Sequence, residues 1–255
     1  MKIAVCIKQV VTREWQLRVN DAKTWIRDQD ASFELNEPDA YALEEALRLK
    51  EKHGGEVIVC SAGPARATQV IREALARGAD RAIHVESDAL ASADANAVAD
   101  AIAGALRDEH VDLILTGLQS DDQGFGQVGV VLAEKLGMPH ATIIMEVQAG
   151  EGSVRVKREL EGGWFQWMTL PMPALLTIQS GINQLRYATL KGIMSAKKKE
   201  IKKVAPGALP APMQRITSLY FPQKAKRTEI LTGGAADAAK ELVKRLREDA
   251  RVLPS

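Results

Sequence analysis

Between Lys2 and Leu136 the chain alternates four strand-length apolar runs with four helical patterns, and no other feature narrows the fold as much. The runs are Lys2–Ile7, Glu56–Cys60, Arg81–Val85 and Val111–Thr116. The helical patterns cover Pro38–His53, Pro64–Arg77, Ser92–Glu109 and Gly126–Leu136. In the first, Tyr41, Leu43, Ala46, Leu47 and Leu49 lie near helical spacing, and Gly54 and Gly55 stop it. Gly78 ends the second, Ser92 is the expected N-cap of the alanine-rich third, and Gly137 with Pro139 ends the fourth. Parallel strands need crossover connections. This repeat therefore predicts an α/β fold, a Rossmann-like parallel sheet with flanking helices. Ligands of such sheets sit beyond the carboxyl ends of the strands, where strand order reverses.

The pattern changes after Gly137. Thr142–Val147, Ser153–Leu160 and Phe165–Leu170 read as short strands, and Gly150, Gly152, Gly162 and Gly163 mark the turns of antiparallel hairpins. Ala174–Ile178 is a further strand. From about Asn183 the apolar periodicity thins. Six lysines lie between Lys191 and Lys203, followed by Pro206, Gly207, Pro210 and Pro212. A stretch of roughly 50 residues of this kind is too long for an ordinary internal loop, and it reads as an extended C-terminal arm that packs on a partner. Without a partner, Ile216, Leu219, Tyr220 and Phe221 would be left in water. A last helix is expected over Ala235–Arg247.

Several functions are disfavoured. The net charge of +1 gives no general attraction to nucleic acid or anionic membranes. Lys197, Lys198 and Lys199 with Lys202 and Lys203 lack interleaved aromatics, so they read as a solvated face or a patch steering an acidic protein partner. No apolar run approaches the length of a membrane span, and MKIAVCIKQVV reads as a strand without a cleavage site. A cytoplasmic protein is expected. Cys6 and Cys60 lie in apolar strand runs, which points to buried thiols. His53, His84, His110 and His140 accompany no nucleophile motif, so neither catalytic residues nor a metal site is expected. His140 is placed in a loop.

One stretch has the makings of a binding site. Gln119, Ser120, Asp121, Asp122, Gln123, Gly124, Phe125, Gly126, Gln127, Val128 and Gly129 follow the fourth strand and open a helix. The glycines permit close backbone approach, and free amides at a helix start suit a phosphate. The loop is neither a Walker A motif nor a strict dinucleotide fingerprint. It reads as nucleotide-binding, against a glycine-rich turn capped by Asp122. Ser61-Ala62-Gly63-Pro64 leaves room beside the second strand or is simply a turn. Asn36 or Asp39 is a further candidate, or a helix cap.

In this order the segments resemble the electron transfer flavoprotein beta subunit family over nearly the whole chain. The resemblance is carried by KIAVCIKQV, DAYALEEALRLKEK, SAGPA, ALARGADRAIHV, DLILTGLQS and GQVGVVLAEKLGMP, and most specifically by RYATLKGIMSAKKK at Arg186–Lys199. It implies a non-catalytic subunit of a heterodimer whose alpha subunit holds most of the FAD. Electrons would pass from dehydrogenases, such as acyl-CoA dehydrogenases, to a quinone oxidoreductase or another acceptor. Residues 1–182 would form the nucleotide-binding domain, 183–200 the recognition loop, and 201–255 an arm packed on the alpha subunit. Leu190 would be the anchor inserted into a dehydrogenase, with Ile193 and Met194 beside it.

The resemblance further implies a structural AMP held by Cys6, Asn36, Glu37, Pro38, Asp39, Ala62 and the stretch from Gln119 to Val130. Amides near Gly124–Gln127 would take the phosphate, with Asp122 and Gln127 fixing it by side chain. Electron-bifurcating members hold a second FAD there instead. A stand-alone adenine-nucleotide-binding stress-type protein is the weaker alternative, since it has no need of the hairpins or the arm. Two departures concern the alpha-bound flavin: Glu37-Pro38 replaces the family's frequent Pro-aromatic pair, and Arg13 stands where some members have tyrosine.

Overall fold

The computed structural model of the protein describes residues 1–223 and 228–253. The arm expected over 201–255 therefore includes residues 224–227 and 254–255, which lie outside the described ones. The chain divides into two compact units, Met1–Ser218 and Leu219–Ser255. In chain order the strands are β1 Lys2–Cys6, β2 Gln9–Val11, β3 Phe33–Leu35, β4 Glu56–Gly63, β5 Arg81–Glu86 and β6 Leu113–Gly117. They continue with β7 His140–Ala149, β8 Ser153–Glu159, β9 Phe165–Pro171, β10 Ala174–Ile178 and β11 Ile201–Val204. The helices are α1 Glu37–His53, α2 Thr68–Arg77, α3 Ala95–Leu106, α4 Val128–Leu136, α5 Leu190–Ala196 and α6 Ala235–Glu248.

The first unit is built on one nine-stranded sheet of order β11-β5-β4-β1-β6-β10-β7-β8-β9. Its central strands β1, β4, β6 and β10 are apolar on both faces because helices cover both. Ile3, Val5, Val57 and Val59 pack on the side of α1 and α2. Ala4, Cys6, Ile58 and Cys60 pack on the side of α3 and α4. From β1 the chain steps outward through β4 and β5, then returns to β6 on the opposite side. The strand order thus reverses at β1, and a crevice opens beyond the ends of β1, β4 and β6.

The expected hairpins are present, but they extend the main sheet: β7 is parallel to β10, and β8 and β9 continue antiparallel beyond it. His140 opens β7 and is not a loop residue. The region from Asn183 is more ordered than its sequence implied. Asn183 donates to the Tyr41 carbonyl and Glu45, and Arg186 pairs with Glu44 and Glu51 on α1. α5 packs so closely on α2 that a Cβ on Gly192 would lie 2.2 Å from the Ala76 carbonyl oxygen. β11 then pairs parallel with β5 at the sheet edge. The second unit contains α6, which buries none of its residues.

Local chemistry explains two further differences. Asp94, not Ser92, caps α3, accepting from the Ala97 amide at 2.9 Å. Ser92 instead follows a short 3-10 turn at Asp88–Ala91. α4 begins at Val128 because Gly124 and Gly126 hold φ of 66° and 62°, outside the helical region.

Candidate functional site

The crevice at the strand-order reversal holds a cavity of about 120 Å³. Its floor is the end of β1 at Cys6–Lys8, the end of β4 at Ala62 and the end of β6 at Thr116–Gly117. One wall is the loop from Leu118 into the start of α4. The facing wall is made of small and aliphatic groups: Leu90, Ala91, Ala93, Ala95, Val98 and Ile102.

Of the sequence-derived candidates, Cys6, Asn36, Asp39, Ala62, Gln119, Ser120, Gln123, Phe125, Gly126, Gln127, Val128 and Gly129 line this cavity. Glu37, Pro38, Asp121, Asp122, Gly124 and Val130 do not. Glu37 and Asp121 instead meet at Arg13 on the rim. Lys8, Thr116, Gly117 and the Leu90–Ala95 wall were not among the site candidates read from the sequence. Lys8 sits in an apolar flank, and small wall residues bear no chemical signal.

Asn36 and Asp39 do more than begin a helix. Asn36 makes no side-chain cap. Its amide nitrogen donates to the Gln119 carbonyl at 3.0 Å, and its side-chain oxygen accepts from the Asp121 amide at 2.9 Å. The Asp39 carboxylate accepts from the Lys8 amide at 2.7 Å and the Gly117 amide at 2.9 Å. The start of α1 thereby ties the ends of β1 and β6 to the loop. Gly129 lets α4 approach just as closely, since a Cβ there would lie 2.6 Å from Thr177 Cγ2 and 2.8 Å from Thr116 Oγ1.

Burial pushes the Asp39 carboxyl up to about 7, against the Lys8 amide, Asn36 and the Gly117 amide, which all favour the carboxylate. A carboxyl whose folded pKa lies above its unfolded one stabilises the fold through its protonated form. That contribution is complete below about pH 4 and is lost as pH rises through about 7. The nucleotide-free chain should therefore lose up to about 4 kcal/mol between those limits relative to Asp39→Asn. Denaturation of both proteins across that range checks this; a constant difference between them would contradict it.

Two features of the cleft suit an anion. No side chain caps α4, so its first-turn amides keep their donors. The Lys8 ammonium stands at the loop, 2.6 Å from Asp122 Oδ1 and 3.2 Å from Gln123 Oε1. The thiols offer no nucleophile: burial raises Cys6 well above its ordinary value and Cys60 to about 12. Among the described residues no group of three His, Cys, Asp or Glu is placed to hold a metal ion. No helix among them is long and apolar enough to cross a membrane.

Fold and site together define a doubly wound α/β protein with a cleft at its topological switch point. The family model "Electron transfer flavoprotein domain" matches residues 24–209. Electron transfer flavoprotein subunit beta of Methylophilus methylotrophus is 34% identical, covering 97% of this chain and 98% of its own. The Bacillus subtilis subunit beta is also 34% identical, over 99% of this chain and 100% of its own. The Homo sapiens subunit beta is 34% identical, over 99% of each. The chain belongs to the electron transfer flavoprotein beta subunit family.

Proposed function

We propose that this chain holds AMP as a structural ligand in the switch-point cleft and joins a flavin-bearing alpha subunit, without catalysing a reaction itself. The complex carries electrons from dehydrogenases, acyl-CoA dehydrogenases among them, to a quinone oxidoreductase or similar acceptor. The observation that carries the ligand is the coincidence of an uncapped helix start, a lysine and a narrow apolar wall in one cleft. Adenine fits the wall of Leu90–Ala95, and the phosphate fits the amides at the start of α4. Asp122 acts through Lys8 in this reading. A carboxylate repels a phosphate directly, whereas paired with Lys8 it holds the cation at the loop.

A second FAD in place of AMP needs room beyond the phosphate. A smaller neighbouring cavity of about 70 Å³ shares Lys8, Ala62, Leu90 and Ala91 with the cleft and is faced by Trp25, Phe33 and Asp122. That contiguity is the observation favouring the bifurcating alternative. Lys8, tethered to Asp122 between the two spaces, favours the monophosphate.

Donor docking falls to the segment 183–200. Tyr187, Leu190 and Met194 are exposed together at the start and along α5. Reconstitution tests the whole reading. The chain alone should carry no flavin and reduce no acceptor, and adding the alpha subunit should restore dehydrogenase-dependent bleaching of the flavin. Flavin-supported turnover by the isolated chain would refute it.

A further inference from the structure

The stretch that leads into α5 has no secondary structure of its own. Residues 184–189 belong to no helix or strand. Among the described residues, no hydrogen bond joins the main chain of 183–188 to other main chain. A stretch of this kind is ordinarily mobile. Here side chains of α1 stand in for a backbone ladder. Tyr41, Glu44, Glu45, Arg48 and Glu51 recur at helical spacing along one face of that helix. Arg48 donates to the Gln184 carbonyl at 3.0 Å, and the Arg186 amide donates to Glu44 Oε2 at 3.3 Å. The Asn183 side chain donates to the Tyr41 carbonyl at 3.2 Å and to Glu45 at 3.0 Å.

Arg186 is the centre of these contacts. Its Nε donates to Glu44 Oε2 at 2.7 Å and its Nη2 to Glu44 Oε1 at 3.1 Å. Nη1 and Nη2 donate to the two oxygens of Glu51 at 2.6 and 3.1 Å. Two edges of the guanidinium are thus forked, one on the buried Glu44 and one on the exposed Glu51. Burial pushes the Glu44 carboxyl up, but the hydrogen bonds from Arg186 and Arg48 outweigh it and leave the group below its ordinary value. Apolar side chains of the same size would often hold the segment as firmly. A double fork fixes its direction as well. The far end of the segment is fixed separately on α2. Gly192 seats α5 against Ala76, Arg72 donates to the Ala196 and Lys199 carbonyls, and Lys199 Nζ donates to the Leu75 and Ala79 carbonyls. Tyr187 and Leu190, both exposed, follow directly on the Arg186 clamp.

We infer that Arg186 is a positioning residue for donor docking: held between Glu44 and Glu51, it orders Tyr187–Leu190 in advance and presents Leu190 to the donor. This inference rests on the reading of 183–200 as the docking segment. The cost of ordering is then met in folding and not in the encounter. Loss of the fork weakens docking and leaves electron transfer within the docked complex unchanged.

Arg186→Lys, which keeps a cation but not the fork, and Glu51→Gln test it in the full heterodimer. Flavin reduction is measured against the concentration of an acyl-CoA dehydrogenase supplied with its acyl-CoA substrate. Arg186→Lys should raise KM for the dehydrogenase about tenfold, and Glu51→Gln about threefold, with kcat within about twofold of wild type. Without donor, amides of 187–190 should exchange at least about fivefold faster in Arg186→Lys. If Arg186→Lys loses nucleotide or melts earlier, Glu51→Gln decides, because Glu51 is exposed and its loss leaves Glu44 paired. An unchanged KM in both variants overturns this inference alone, whether or not the amides exchange faster. A fall in kcat at constant KM overturns it too. A wild-type complex that the dehydrogenase does not reduce, or coupling that Leu190→Ala leaves untouched, overturns the docking reading and this inference with it.

Discussion

Gly117→Ala is expected to destabilise the fold by about 3–5 kcal/mol and to empty the cleft. The added methyl would lie 2.4 Å from Asp39 Oδ1 and 2.7 Å from Pro38 Cβ. Both belong to the first turn of α1, which buries Pro38 and Asp39. Nothing there is the free end of a flexible side chain, so the helix start must retreat from β6. Retreat breaks the bond from the Gly117 amide to Asp39 and strains the one from the Lys8 amide. Overpacking costs about 1–3 kcal/mol, and each buried donor left without a partner adds about 1–3 kcal/mol. Gly104→Ala is the control: its Cβ would meet nothing within 4 Å, and it lies within α3. That change should stabilise by about 0.5–1 kcal/mol. Urea denaturation of both variants, with adenine nucleotide assayed in each, checks the pair. Similar stabilities for the two would show that the contact of α1 with β6 is softer than the geometry requires.

Leu190→Ala should cut dehydrogenase coupling by roughly 30- to 1000-fold, equivalent to about 2–4 kcal/mol for a desolvated anchor. Leu190 is 77% exposed, so it is not packed within its own loop. It stands at the first position of α5, which Thr189 caps by accepting from the Gly192 amide at 3.0 Å. Truncation leaves that cap intact, and the helix should persist. Flavin and nucleotide content, and the melting temperature, should match wild type. The readout is the rate of flavin reduction against dehydrogenase concentration. Equal rates in mutant and wild type would reject the anchor role, and a fall in melting temperature would assign Leu190 to the fold.

The central strands were legible because parallel strands buried on both faces become continuous apolar runs, as in IAVCI and VIVC. The loop after β6 was legible because glycines at a strand-to-helix junction have few other uses. Other features leave little trace in a single sequence. β2 and β3 have three residues each, too few to show a period. β11 exposes two of its four residues as lysines, so it read as a charged run and not as a sheet edge. Asn36 and Asp39 sit where capping residues belong, and only the sheet order brings β6 and its following loop close enough for Asp39 to bind the strand and Asn36 the loop. Lys8 entered the site for the same reason, since its partner Asp122 is 114 residues away in sequence.

Everything proposed for the cleft reduces to which compound lies there. The deciding measurement is the stoichiometry of adenine nucleotide and flavin released from the purified heterodimer, by chromatography after denaturation. One AMP and one FAD per heterodimer are predicted. Two FAD would replace the monophosphate reading with the bifurcating one, and a complex free of any adenine compound but the alpha-bound FAD would contradict the account.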